Sequence, residues 1–285
     1  MNIEQFREAY PLKTLTILDR PFAYRYYKNP KASETLVLLT GGIGISDTFY
    51  LHFEWFAKEF SVITFDYHMQ YKSNKEFADA VALLLKTLGV KAWLVGQSLG
   101  GVVAQIIASE HPEAVEGMVL SNTCSLAKDM APEGRKNLEK MLKDARFYQK
   151  LIGLVPIGLY KRLMVKSVNK LAAGFTPEEK ATIQDLTGAI MELLTKPYAR
   201  HMMGFLVDAE NHQNMEKKTF APWEDKVLLI LSRDDDTFNA QTKQALINVM
   251  TTPTVVDHLV GGHLALLIRL EEYGTLVSDY IKTHS

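Results

Sequence analysis

Short, almost wholly apolar runs alternate along this chain with longer segments whose apolar positions recur every three or four residues. The runs at 35–39 (Thr-Leu-Val-Leu-Leu), 61–65, 91–97, 115–120, 226–231 and 254–259 are too short for buried helices and rich in branched residues. They predict strands covered on both faces, as in a parallel sheet. Two further strands at 13–18 and 22–27, parted by Asp19-Arg20-Pro21, predict an antiparallel hairpin. Between the runs the period lengthens to that of helices. A short helix is expected over 3–9 and an aromatic-rich one over 47–59. Over 74–88 the stripe Phe77, Ala80, Val81, Leu84 and Leu88 follows a capping box of Ser73 and Glu76, and Gly89 supplies the stop.

The alternation lapses between residues 125 and 220. No stretch there predicts a strand; several predict helices, one opening at Thr176-Pro177-Glu178-Glu179 with cap, first-turn proline and reciprocal glutamate. Strand and helix then resume, with helices expected over 238–249 and 270–282. The expected fold class is therefore α/β: a mostly parallel central sheet with helices on both faces. Residues 1–124 and 221–285 form its core, and 125–220 an inserted all-helical cap.

Composition narrows the function classes. The 285 residues are 47% hydrophobic and 23% charged, with net charge −1, which gives nucleic acid no basic footing. The first eight residues have no signal-peptide core and no run approaches the ~20 apolar residues of a membrane span. The single cysteine, Cys124, precludes an internal disulfide. A cytoplasmic protein without stable membrane insertion is expected. No internal repeat is apparent, and the oligomeric state is left open.

The candidate chemistry starts at Gly96-Gln97-Ser98-Leu99-Gly100-Gly101, at the end of the 91–97 run and directly before the amphipathic stretch 102–108. A serine at a sharp strand-to-helix turn is held in a strained backbone with its hydroxyl exposed, and the helix N-terminus faces any oxyanion that forms there. A serine nucleophile needs a base, and the base needs an orienting acid, both at the carboxyl ends of later strands. After 226–231 comes Ser232-Arg233-Asp234-Asp235-Asp236, and after 254–259 comes Val260-Gly261-Gly262-His263. His263 combines a strand end with a glycine pair that lets the loop dip over the site. Asp235 is the expected acid, with Asp236 the second choice, and the solvated role is the expectation for both Asp234 and Asp236. Of the other histidines, five lie in helical or terminal stretches, His258 within the last predicted strand, and His68 after the strand that ends at Asp66. A metal site from Asp257, His258 and His263 lacks ligand spacing, so neither metal nor cofactor is expected. The oxyanion donors expected are the amides of Leu99 and of Gly42, in the Gly41-Gly42-Ile43-Gly44 loop after residue 39.

Taken together, these motifs and their order resemble the α/β-hydrolase superfamily over essentially the whole chain. The resemblance implies Ser98 as nucleophile, Asp235 as acid, His263 as base, Gly42 and Leu99 as oxyanion donors, and a cap between the sixth and seventh strands. Thr40-Gly41 stands where the family often has His-Gly, and Tyr67–Tyr71 replaces a common Asp-x-Arg-Gly-x-Gly run. The expected activity is cleavage of a carboxylic ester or related acyl bond of a small, largely apolar substrate. The competing class is a non-catalytic binding or signalling protein on the same scaffold, as in maspardin-like proteins. Retention of Asp235 and His263 speaks against it. Seven of the eleven methionines fall within 125–220, which suits either a forgiving apolar pocket or simple packing. That segment holds 16 Lys and Arg against 11 Asp and Glu.

Overall fold

Each apolar run has to bury both faces, and the structure shows how. The computed structural model describes residues 2–285. α1 (Ile3–Ala9) leads into the hairpin β1 (Lys13–Ile17) and β2 (Arg20–Tyr27), then β3 (Thr35–Leu39), α2 (Tyr50–Ala57), β4 (Ser61–Thr64), α3 (Asn74–Leu88), β5 (Ala92–Gln97), α4 (Leu99–Glu110) and β6 (Val115–Ser121). The eight-stranded sheet has the order β1-β2-β4-β3-β5-β6-β7-β8, where β7 is Val227–Ile230 and β8 is Thr254–Val256. β1 pairs antiparallel with β2 and β2 with β4; every other pairing is parallel.

Side-chain alternation divides each run between two cores. Val37, Leu39 and Leu94 join Phe77, Val81, Ala104 and Ile107 of α3 and α4. Leu36, Leu38, Trp93 and Val95 join Phe53 and Phe56 of α2 and Val277 and Ile281 of α11 (Leu270–His284) on the other face. These strand residues are fully or almost fully buried. Each such side chain contributes about 1.5–3 kcal/mol relative to exposure, which is why polar residues are displaced to the strand ends.

Several expectations are corrected locally. The hairpin turn is Leu18-Asp19, both left-handed (φ 50° and 59°), and Arg20 and Pro21 lie in β2. A two-residue turn of this hand matches strand twist. The expected 47–59 helix divides into a 3₁₀ turn (Ser46–Phe49) and α2. The Ser73 hydroxyl accepts from the Glu76 amide, but the Glu76 carboxylate turns to the Lys72 amide and Arg20, so the cap is not reciprocal. At Thr176 both halves of the box form. β8 ends at Val256, leaving His258 beyond the strand, half-exposed and 3.7 Å from Glu272.

Between β6 and β7 run α5 (Pro132–Leu154), α6 (Ile157–Leu171), α7 (Pro177–Leu193) and α8 (Lys196–Asp208), with short 3₁₀ turns after them. The excursion leaves and returns at one point. Met215 donates to the Leu126 carbonyl (3.1 Å), Lys128 to the Met215 carbonyl (2.9 Å), and Ala127 bridges Met215. After β7 come α9 (Ala240–Val249), β8, α10 (Ala265–Ile268) and α11.

Candidate active site

The turn from β5 into α4 places Ser98 at φ 53°, ψ −119°, a conformation non-glycine residues rarely adopt. The surroundings hold it there: the Ser98 amide donates to the Ser121 carbonyl (3.0 Å), and the Ser98 carbonyl accepts from the Thr123 hydroxyl (2.6 Å). A Cβ on Gly96 would strike the Gly100 backbone, and one on Gly100 the Leu39 carbonyl, so the elbow packs against β3 only with glycine at both places. Leu99 is the first residue of α4, and its amide therefore has no intrahelical acceptor.

His263 sits on the 3₁₀ turn Gly262–Leu264. Its Nε2 lies 3.0 Å from Ser98 Oγ and its Nδ1 3.0 Å from Asp235 Oδ2. The carboxylate can only accept, which assigns the proton to Nδ1 and leaves Nε2 free to take the serine proton. Asp235 has a fully buried side chain and also accepts from the Thr237 amide (2.8 Å). Burial opposes its charge. The His263 contact and the Thr237 amide outweigh that, and hold the carboxyl below its ordinary value. Asp236 is exposed.

Gly41 is the residue of the glycine loop that meets the elbow: a Cβ there would lie 2.5 Å from Gln97 Oε1 and 3.4 Å from Ser98 Cβ. Gly42 follows, beneath Leu206. Beside Ser98 a cavity of about 80 Å³ is walled by Val102, Cys124, Leu138, Met141, Leu206 and Phe238. Burial pushes the Cys124 thiol up to about 12, so it is protonated and part of the apolar wall. Of the seven methionines in 125–220, only Met141 lines this cavity. Met202 and Met215 are core residues, Met130 packs against that core, and Met164, Met191 and Met203 belong to a separate cluster under the helices.

Three other histidines are occupied elsewhere. His52 is buried with its Nε2 on the Leu266 carbonyl, and burial lowers its pKa to about 4. His68 reaches the Ala23 carbonyl, and His111 bonds Asp79. Among the described residues no group of three or more His, Cys, Asp or Glu is arranged to hold a metal.

The profile of the alpha/beta hydrolase fold family matches residues 34–157, the stretch from β3 to the start of α6. The chain has the α/β-hydrolase fold. Its fold matches that of a hydrolase from Pseudomonas aeruginosa PA01 at TM-score 0.74 and 17% identity, covering 95% of this chain and 98% of that one. MenH from S. aureus matches at TM-score 0.72 and 20% identity (92% and 98% covered). A thermophilic esterase from Thermogutta terrifontis, with malate bound, matches at 0.69 and 16% (96% and 98% covered). No curated protein sequence gives a significant match.

In this α/β-hydrolase fold, three further side chains tie the loops of the candidate site together. Asn122, at the end of β6, donates to Ser232 Oγ (2.9 Å) and the Gly262 carbonyl (3.0 Å), while its Oδ1 accepts from the Ser232 amide (2.7 Å). It therefore ties the Asp235 loop to the His263 loop. Asp234, expected to be merely solvated, accepts the Gly261 and Gly262 amides at 2.9–3.0 Å. Gln97 lies with its Nε2 3.3 Å from both His263 Nε2 and the His263 carbonyl. The clustered aspartates hinted at Asp234; nothing in the spacing pointed to Asn122.

Proposed function

We propose that this α/β-hydrolase is a serine hydrolase that cleaves a carboxylic ester, or a related acyl bond, of a small and largely apolar substrate. The observation that carries the reading is the unbroken relay Asp235–His263–Ser98, with 3.0 Å at each link, opening beside an apolar cavity. The Ser98 hydroxyl attacks the acyl carbon as its proton passes to His263 Nε2, and Asp235 stabilises the imidazolium. The tetrahedral oxyanion is held by the amides of Leu99 and Gly42. Its collapse expels the alcohol, which takes the proton from His263, and leaves an acyl group on Ser98. Water, deprotonated by His263, then releases the acid. The helices between residues 125 and 220 act as a cap that supplies one wall of the acyl pocket. The relay needs neither metal nor cofactor.

A fluorophosphonate probe tests this directly. It should label the native chain on Ser98, and labelling should vanish in Ser98→Ala and fall sharply in His263→Ala. A native chain that stays unlabelled while folded would return the protein to the class of non-catalytic binders.

A further inference from the structure

Between Asp144 and Glu178 the chain carries six Lys or Arg and no Asp or Glu. This tract spans the end of α5 and all of α6, and it does not look like an ordinary solvated surface. Of the 15 residues of α6 only Tyr160 is buried. Leu159, Leu163, Lys166 and Lys170 share one exposed stripe at helical spacing, with Arg162 beside it. Leu159 is 47% exposed, Leu163 41%, and Leu154, at the tip between α5 and α6, 83%. Among the described residues Lys161, Arg162, Lys166 and Lys170 have no ion-pair partner.

We propose that the outer face of α6, with the tip at Leu154, docks on an anionic lipid bilayer. The occupant follows from the pairing of the two features. Unpartnered cations alone suit any polyanion, but the leucines set among them find an apolar medium only in a bilayer, where lysine stems reach past them to the headgroups. A second copy of the chain meeting the same face would oppose the four cations of α6 with four cations. At 15 residues, with four cations, α6 is too short and too charged to cross the hydrocarbon, so it lies on the surface. The opposite side of α6 is built for the enzyme. Tyr160, Met164 and Val165 pack in one cluster with Ile43 and Ile45 of the glycine loop, and the helix touches the Gly262–Leu264 turn that bears His263. Docking thus places the bilayer just outside the site.

Vesicle sedimentation of the whole chain tests the proposal, and it is independent of catalysis because Ser98→Ala should bind equally. Binding is expected to vesicles with about 30% phosphatidylglycerol in phosphatidylcholine, to be weak to phosphatidylcholine alone, and to fall between about 0.1 and 0.5 M salt. The triple variant Lys161→Glu/Arg162→Glu/Lys166→Glu should lower the partition coefficient at least about tenfold. Leu154→Ser/Leu159→Ser should lower it too, even at low salt, while both variants keep the parent's rate on a water-soluble ester. Three results would overturn the proposal: no binding to vesicles of either composition, binding that both variants leave unchanged, or a native dimer that the leucine variant converts to monomer.

Discussion

On the proposed mechanism Ser98 acts only while His263 is held in line with it, and the charge responsible is a particular one of three adjacent aspartates. Asp235 is buried against the imidazole and Asp236 is exposed. On a p-nitrophenyl ester, Asp235→Asn is expected to lower kcat about 10³- to 10⁴-fold, through the wrong imidazole tautomer. Asp236→Asn should change it by no more than about twofold; equal effects would mean the acid is misassigned. Asp234 acts one step further out, through the loop. Asp234→Ala removes the acceptor of two backbone amides and should lower kcat about tenfold with KM little altered. Asp234→Asn, which keeps an acceptor oxygen, should restore part of the loss. The serine, the histidine and the aspartate cluster were legible in the sequence because each ends an apolar run. Asn122 was not: its partners lie 110 and 140 residues away, and an asparagine after a strand has no local signature.

At the scale of elements, the sheet strands were read within a residue or two because burial on both faces forbids polar interruptions. Edges escaped that constraint. β8 borders only β7, and two of its three residues are exposed, so its far end was not fixed by the apolar pattern. The hairpin turn was misplaced for a similar reason, since Leu18 carries no turn signal despite its left-handed backbone. α2 also carries a titration consequence. His52 is held neutral by burial, with its folded pKa at about 4, below the unfolded value near 6.5. The unfolded chain therefore binds the proton more tightly. This contribution is complete above pH 6.5 and is lost as pH falls towards 4, about 3 kcal/mol in all. Urea melts at pH 7 and pH 4.5 should show His52→Gln losing less stability over that interval than the parent chain.

For the molecule as a whole, the proposed function makes the helices between β6 and β7 the part that sets which substrates fit. Leu138 and Met141 of α5 and Leu206 of α8 close an 80 Å³ cavity. That is well below the several hundred Å³ of sites for drug-sized ligands. Across p-nitrophenyl esters, kcat/KM should be greatest for acyl chains of about two to four carbons and should fall by eight carbons. Leu138→Ala should move the optimum to longer chains. No preference across the series would mean the acyl group lies elsewhere.

The backbone pairing of residues 126–128 with Met215 closes the helical storey at a single seam. Because departure and return are stitched together at the rim, strand order does not depend on the length of chain between them. Any exchange of these helices must still refill the contacts that Met202 and Phe205 make with the core beneath.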